Sequence, residues 1–331
     1  MAIRQGSSDV SAIFLGNTEI TKVYQGATEI YSADVPSSNA YIIEVNTENL
    51  SQFSSPDDTF RIPTAFNSGP GYNFEVDWGD GVVETFEGND PLTEHQYSSP
   101  GIYDIKITGL FPQIRFAGGG DRLKLLKIKQ WGDTPWRNFN AAYQGCNNLQ
   151  IVATDSPVLT NVTIMSFAFF QCNDANFSTN HNFNTWDVSN VTSTVRMFDD
   201  TQFNQPISDW NVSNVTTIFG MFRNSQFNQD LSAWNITGLT AQESAFQSNP
   251  AEKVFENSQM DVENYSRTLI GWANTVFANG NLPVNINMTE QAGRTYNNIQ
   301  YTTGNQFNDA VSARNYLINT CNWDITGDSE V

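Results

Sequence analysis

Residues able to do chemistry are few in this chain, and their spacing decides what they can do. Only two histidines occur, His95 and His181, and neither stands in a metal-ligand or nucleophile pattern. A Ser-His-Asp or Cys-His centre needs a histidine beside a serine or cysteine, and no local phrase supplies that pairing. His95 therefore reads as a structural residue preceding a strand aromatic. The three cysteines, Cys146, Cys172 and Cys321, are odd in number and cannot all pair within the chain, which argues against a disulfide scaffold. Cys146 and Cys172 each follow an aromatic, Tyr143 and Phe169, by three residues, so a stacked pair of buried thiols is expected. Gly118-Gly119-Gly120 lacks the Lys and Ser/Thr of a phosphate loop and reads as a turn.

The carboxylates need the same weighing. Asp77 and Asp80 flank Trp78-Gly79, with Asp57-Asp58 in a preceding loop. Such oxygens suit calcium, but without EF-hand spacing or a closing Glu the turn-forming reading is preferred. Asp187, Asp199, Asp200, Asp209 and Asp230 recur along the second half. A glycosidase needs two carboxylates about 5 to 9 Å apart, which such a series could supply, although solvated acidic surface is the commoner use. The expectation is a protein that is not an enzyme, with no catalytic, cofactor-binding or metal-binding residues.

What must position these groups is a repeat. Trp186, Trp210 and Trp234 recur every 24 residues, as do Phe198, Phe222 and Phe246. A fixed period of this length predicts stacked units, each burying its apolar face against its neighbours. Tyr143, Phe169, Phe198, Phe222 and Phe246 mark five units, the early ones longer. Phe198, Phe222 and Phe246 should form a buried ladder with Val191, Val215 and Leu239, whereas Asn224→Ala in an adjoining turn should be nearly silent. Val215, Ile218, Phe219 and Phe222 share one helical face, and Trp210-Asn-Val212 alternates like a strand, so one strand and one helical turn per unit are expected. The Trp rings have two readings, core packing and an outward sugar platform. Asn190, Asn214 and Asn235 begin Asn-x-Ser/Thr tripeptides that read as hydrogen-bonding ladders.

Elsewhere, Phe14 to Ile20 is echoed by Tyr24 to Ile30, two small hairpin units in a segment, 1–34, too poor in apolar groups to fold alone. Alternating stretches between Ala40 and Leu110 read as a β-sandwich. Arg122, Lys124, Lys127 and Lys129 interleave with Leu123, Leu125, Leu126 and Ile128, the pattern of a strand with a solvated basic face. Residues 264–272 and 309–318 read as amphipathic helices, with Asp261 and Asn308 as N-caps. The boundaries are thus 1–34, 40–110, 111–258 and 259–331, in a mainly β, multi-domain chain. A formal charge of −19 excludes nucleic acid as a partner, since that contact relies on Lys and Arg. No apolar run marks the N-terminus or approaches the roughly 18 residues of a membrane span, so neither export signal nor membrane insertion is expected.

Several phrases carry resemblances. Leu15-Gly-Asn-Thr-Glu19 and Val23-Tyr-Gln-Gly26 resemble N-terminal segments of phage tail, fibre and head-fibre proteins. Val76-Asp-Trp-Gly-Asp-Gly81, with His95-Gln-Tyr97 and Gly101 to Ile107, is similar to the polycystic-kidney-disease-type (PKD) immunoglobulin-like domain. Trp186-Asp-Val-Ser-Asn-Val191, Met221-Phe222 and Phe203-Asn-Gln resemble the BspA-type leucine-rich repeat, also called DUF285, of bacterial surface proteins. The tail of that family is similar to Tyr265, Leu269, Trp272, Ala313, Arg314, Leu317, Ile318 and Trp323 here. Together they imply an N-terminal β-hairpin anchor, a PKD-type sandwich and a leucine-rich-repeat-like solenoid with a helical cap. The function implied is that of a virion structural protein, a tail fibre or capsid decoration, made in the host cytoplasm and displayed on the particle. Its expected partners are other virion proteins through 1–34, sister copies in a homo-oligomer, and a host surface glycan or protein. A bacterial surface adhesin and a polysaccharide depolymerase are the alternatives.

Overall fold

The computed structural model describes residues 39–65, 71–173, 177, 181–240, 250–280, 282–283, 285–288 and 294–331, with the backbone of four short strands between 14 and 32. The chain is mainly β, with two α-helices among the described residues. Near the start, β1 (Phe14–Leu15) pairs antiparallel with β2 (Thr18–Glu19), and β3 (Lys22–Gln25) with β4 (Thr28–Ser32), one pair for each echoed phrase.

The stretches between Ala40 and Leu110, with two later strands, then build a six-stranded sheet. It runs β12-β11-β5-β10-β7-β8, from β5 (Tyr41–Asn46), β7 (Tyr72–Asp77), β8 (Val83–Gly88), β10 (Ile102–Leu110), β11 (Leu125–Gln130) and β12 (Gln150–Ile151). Tyr41, Ile43 and Val45, Tyr72, Phe74 and Val76, and Ile105 and Ile107 all point into one core. The β7–β8 turn requires Gly79, whose φ is +83° and where a Cβ would stand 2.3 Å from the Asp104 carbonyl oxygen. A separate pair, β6 (Thr59–Arg61) with β9 (Glu94–Gln96), joins this core by stacking His95 on Trp78. Because β11 pairs with β5, the sheet extends past residue 110.

The basic alternation of residues 122–129 is a solvated face only in part: Lys127 and Lys129 stand partly exposed on β11, each in an ion pair, whereas Lys124 does not. Lys127 pairs with Glu44 at 2.6 Å and Lys129 with Asp104 at 2.7 Å. Lys124 precedes β11, in a turn, and is fully buried. Its ammonium donates to the carbonyls of Ser55, Pro56 and Thr59 at 2.7–2.9 Å and lies 3.5 Å from the buried Asp121.

The units then stack. Tyr143 lies on Phe169 at 5.3 Å, Phe169 on Phe198 at 5.6 Å and Phe198 on Phe222 at 6.1 Å, near parallel throughout. Phe255 stacks on Phe222 at 6.0 Å, and the expected Phe246 lies outside the described residues. The interval between ladder rings widens there from 24 to 33 residues. Backbone pairing follows the same jump: Phe198 N donates to Met221 O, whereas Phe222 N donates to Val254 O. Val191, Val215 and Leu239 are buried, as expected.

The expected strand and helical turn per unit are replaced by single bridges and turns. Ile164, Ser193 and Thr217 form a line of isolated parallel bridges, and residues 216–224 contain no helix. The cause is a left-handed residue two positions on either side of each ladder aromatic: Ala141 and Gly145, Phe167 and Gln171, Arg196 and Asp200, Gly220 and Asn224, Lys253 and Asn257. A positive φ every fourth residue breaks the i to i−4 pattern. Amides such as those of Gly220 and Asn224 instead donate to the next unit, at Glu252 O and Glu256 O.

The chain closes with α1 (Val262–Ala278), β13 (Asn287–Met288), β14 (Arg294–Tyr296), α2 (Ala310–Asn319), β15 (Asp324–Ile325) and β16 (Asp328–Glu330). Asp261 caps α1 by accepting from Asn264 N, as expected. The cap of α2 is Asp309, one residue after the expected Asn308, accepting from Ser312 N at 2.8 Å. Gly271 lets α1 sit directly on the turn at Ser232, since a Cβ there would be 2.1 Å from Ser232 O.

Candidate functional site

The Trp rings resolve between their two readings. Trp186, Trp210 and Trp234 are buried, 2%, 3% and 0% exposed, and stack at 6.5 and 6.4 Å. They belong to the core and offer no sugar platform. Trp210 Nε1 donates to Phe183 O at 2.7 Å and Trp234 Nε1 to Ile207 O at 2.9 Å. Trp272 of α1 donates in the same manner to Leu231 O at 3.1 Å, so the helix takes the next place in the indole ladder.

At the other end of that ladder, Trp186 Nε1 donates to His181 Nε2 at 2.7 Å, which leaves Nδ1 as the ring's own donor, 2.8 Å from Ala153 O. Burial holds this imidazole below its ordinary 6.5. Protonation would set an N–H against the indole N–H. The unfolded chain takes up this proton near 6.5 while the folded chain resists it, so stability falls as pH falls below that value. In a His95→Gln variant, where His181 alone titrates as histidine, unfolding free energy should drop by up to about 1.4 kcal/mol per pH unit until the folded group protonates. A flat denaturation midpoint from about pH 7 to about pH 5.5 would show that burial does not hold the imidazole below its ordinary value.

The carboxylates hold structure individually. Asp187 Oδ1 accepts from Ser189 N, and the Ser189 hydroxyl together with this amide lowers its pKa; Asp230 Oδ1 accepts from Ser232 N. Asp209 accepts from Asn184 Nδ2. Asp199 is fully buried between Arg196 at 2.5 Å and Arg223 at 3.0 Å, while Asp200 occupies a left-handed position with φ +60°. In the β7–β8 turn Asp77 accepts from Gly79 N and Asp80 from Val82 N, and Asp80 Oδ2 meets His95 Nε2 at 2.9 Å. Asp58 accepts from Gln96 and Thr59, which lowers its pKa. Cys146 and Cys172 are buried thiols raised in pKa by desolvation, and Cys172 Sγ lies 2.9 Å from Tyr143 O. Among the described residues no group of three or more His, Cys, Asp or Glu side chains is placed to hold a metal ion.

What the units present outward is a set of polar columns. Asp187, Asn211 and Asn235 each accept from the backbone two residues on. Asn190 Nδ2 donates to Thr160 O and Asn214 Nδ2 to Ser189 O, the expected ladders; among the described residues Asn235 bonds within its own turn, to Thr237. Thr192 and Thr216 hydroxyls donate to the carbonyls of Thr163 and Thr192 at 3.0 Å. These hydroxyl and amide groups are thereby held at one repeating spacing.

The family model described as "Mycoplasma protein of unknown function, DUF285" matches residues 137–264, from the first ladder unit into the first turn of α1. No curated protein and no solved structure matches the chain.

Proposed function

We propose that this chain is a non-enzymatic structural protein of a virus particle, a tail fibre or capsid decoration, that displays its repeated units to the host cell surface. In this reading residues 40–110 are the main part of a PKD-like spacer, 111–258 a leucine-rich-repeat-like solenoid that lends β11 and β12 to the spacer's sheet, and 259–331 its cap. The observation that carries the reading is the outward face. Asn, Ser and Thr columns recur there, tied to backbone, while every ladder aromatic is buried. A wall that repeats one polar pattern suits a large or repetitive partner, a surface glycan or protein, better than a small substrate. The separate structural duties of the carboxylates support display over hydrolysis.

Residues 1–34 are the attachment segment. Support comes from their likeness to phage fibre N-termini and from strand pairs too short to close a sheet of their own, whose edges suit pairing with a virion partner or sister copy. Deleting them should give a folded protein that still binds host cells but no longer joins particles. Incorporation of the truncated protein would sink the anchor, and failure of the full chain to bind host cells would sink the display role.

A further inference from the structure

We propose that the groove between β6, β9 and the loop of residues 51–55 binds a neutral oligosaccharide, with Phe53 stacking on a sugar ring and Arg61 and Glu94 hydrogen-bonding its hydroxyls. Two independent features of Phe53 point the same way. Its ring is 86% exposed, and its backbone is left-handed, with φ +66°. Phe167, Arg196 and Lys253 share that backbone sign within the stacked units, but Phe53 holds it in a loop outside them, where it turns the ring to solvent.

The loop that carries Phe53 is tied down on both sides. Ser51 Oγ donates to Gly120 O at 2.5 Å and accepts from Arg122 Nη1 at 3.2 Å. Ser55 N and Oγ donate to Asp121 at 2.7 and 2.6 Å, and the Lys124 ammonium binds the carbonyls of Ser55, Pro56 and Thr59 beneath. The phenyl ring thus projects from a preorganised support, which lowers the ordering cost of a contact.

Beside it lies a groove of about 480 Å³, within the range of small-ligand sites, with Gly119 and Gly120 in its wall. Arg61 and Glu94 face each other across the β6–β9 register, yet neither side chain has an ion pair or hydrogen bond among the described residues. A fork of donors and a carboxylate acceptor therefore stand open where a ring seated on Phe53 would turn its hydroxyls. Asp90 adds a second carboxylate, already accepting from Thr64. With these acids in the groove and −19 on the chain, a polyanion is repelled and a neutral sugar is favoured. The groove lies off the repeated units, so its occupancy is independent of the display role.

The full-length protein is titrated by saturation-transfer NMR with maltotriose, cellotriose, mannotriose and chitotriose, and with trigalacturonate as the anionic control. At least one neutral trisaccharide should bind saturably, with a dissociation constant of about 1 mM or tighter. Phe53→Gly keeps the left-handed backbone and removes the ring, so it should weaken that binding at least about 10-fold without lowering the melting temperature. Arg61→Ala should weaken it as well, while Phe277→Ala, at another exposed phenyl, should not. No binding by any neutral trisaccharide, preference for trigalacturonate, or unchanged binding in Phe53→Gly would each overturn the proposal.

Discussion

Phe222→Ala is expected to cost about 3 to 5 kcal/mol of stability and to open the units on both sides of it to protease. The ring is fully buried and near parallel to three others: Phe198 at 6.1 Å, Phe227 at 3.8 Å and Phe255 at 6.0 Å. Truncation loses the transfer energy of the ring and leaves a cavity that stacked neighbours cannot close without moving the ladder. The position is also the joint at which the regular units meet the wider interval leading to Phe255, so the loss is felt in both directions. Limited proteolysis and chemical denaturation of Phe222→Ala read this directly. Asn224 supplies the contrast: its φ is +51° and its side chain accepts from Asn257 Nδ2 at 3.1 Å. Ala there meets the left-handed penalty, roughly 1 kcal/mol, so the substitution is milder than Phe222→Ala but not silent. Equal sensitivity at the two positions would refute the ladder.

The ladder shows what the sequence could and could not reveal. Period and residue type gave the stacking of Trp186, Trp210 and Trp234 and of Phe198 and Phe222, because identical apolar groups at one interval have few ways to be buried. Phe255 was hidden by the same logic, since a longer interval shifts the true partner off the period while Phe246 falls on it. The helical face read from Val215, Ile218, Phe219 and Phe222 failed for a local reason. Its spacing is helical, but the left-handed positions two residues before the aromatics are filled by Ala, Phe, Arg and Lys, types that announce nothing, with a glycine only at Gly220. The C-terminal column, Gly145, Gln171, Asp200, Asn224 and Asn257, does lean towards residues that tolerate this backbone, and was the available signal. Within the site, Phe53 was invisible because exposure and backbone sign are properties of the folded loop. Arg61 and Glu94 became a pair only once β6 and β9 were in register.

Lys124 was misread because alternation alone cannot separate a strand from a turn that happens to alternate, and its replacement makes the second large prediction. Lys124→Met should destabilise the protein by about 3 to 5 kcal/mol, the usual cost of removing one partner from a buried charged pair. Without the ammonium, the carbonyls of Ser55, Pro56 and Thr59 lose their shared donor, and the Asp121 carboxyl, 3% exposed, loses the cation 3.5 Å away. Burial already lowers the pKa of this lysine, with Asp121 acting in the opposite direction, so the site tolerates the cation only through its ring of oxygens. Lys124→Arg should not rescue it, because a planar fork cannot reach carbonyls arranged around a point charge. Lys127→Met, at a half-exposed pair with Glu44, should cost no more than about 1 kcal/mol. Urea denaturation of the three variants decides the matter: if Lys124→Met falls within the range of Lys127→Met, the ammonium is not what holds the 51–59 segment. In that case Phe53 owes its aim to the Ser51 and Asp121 contacts alone.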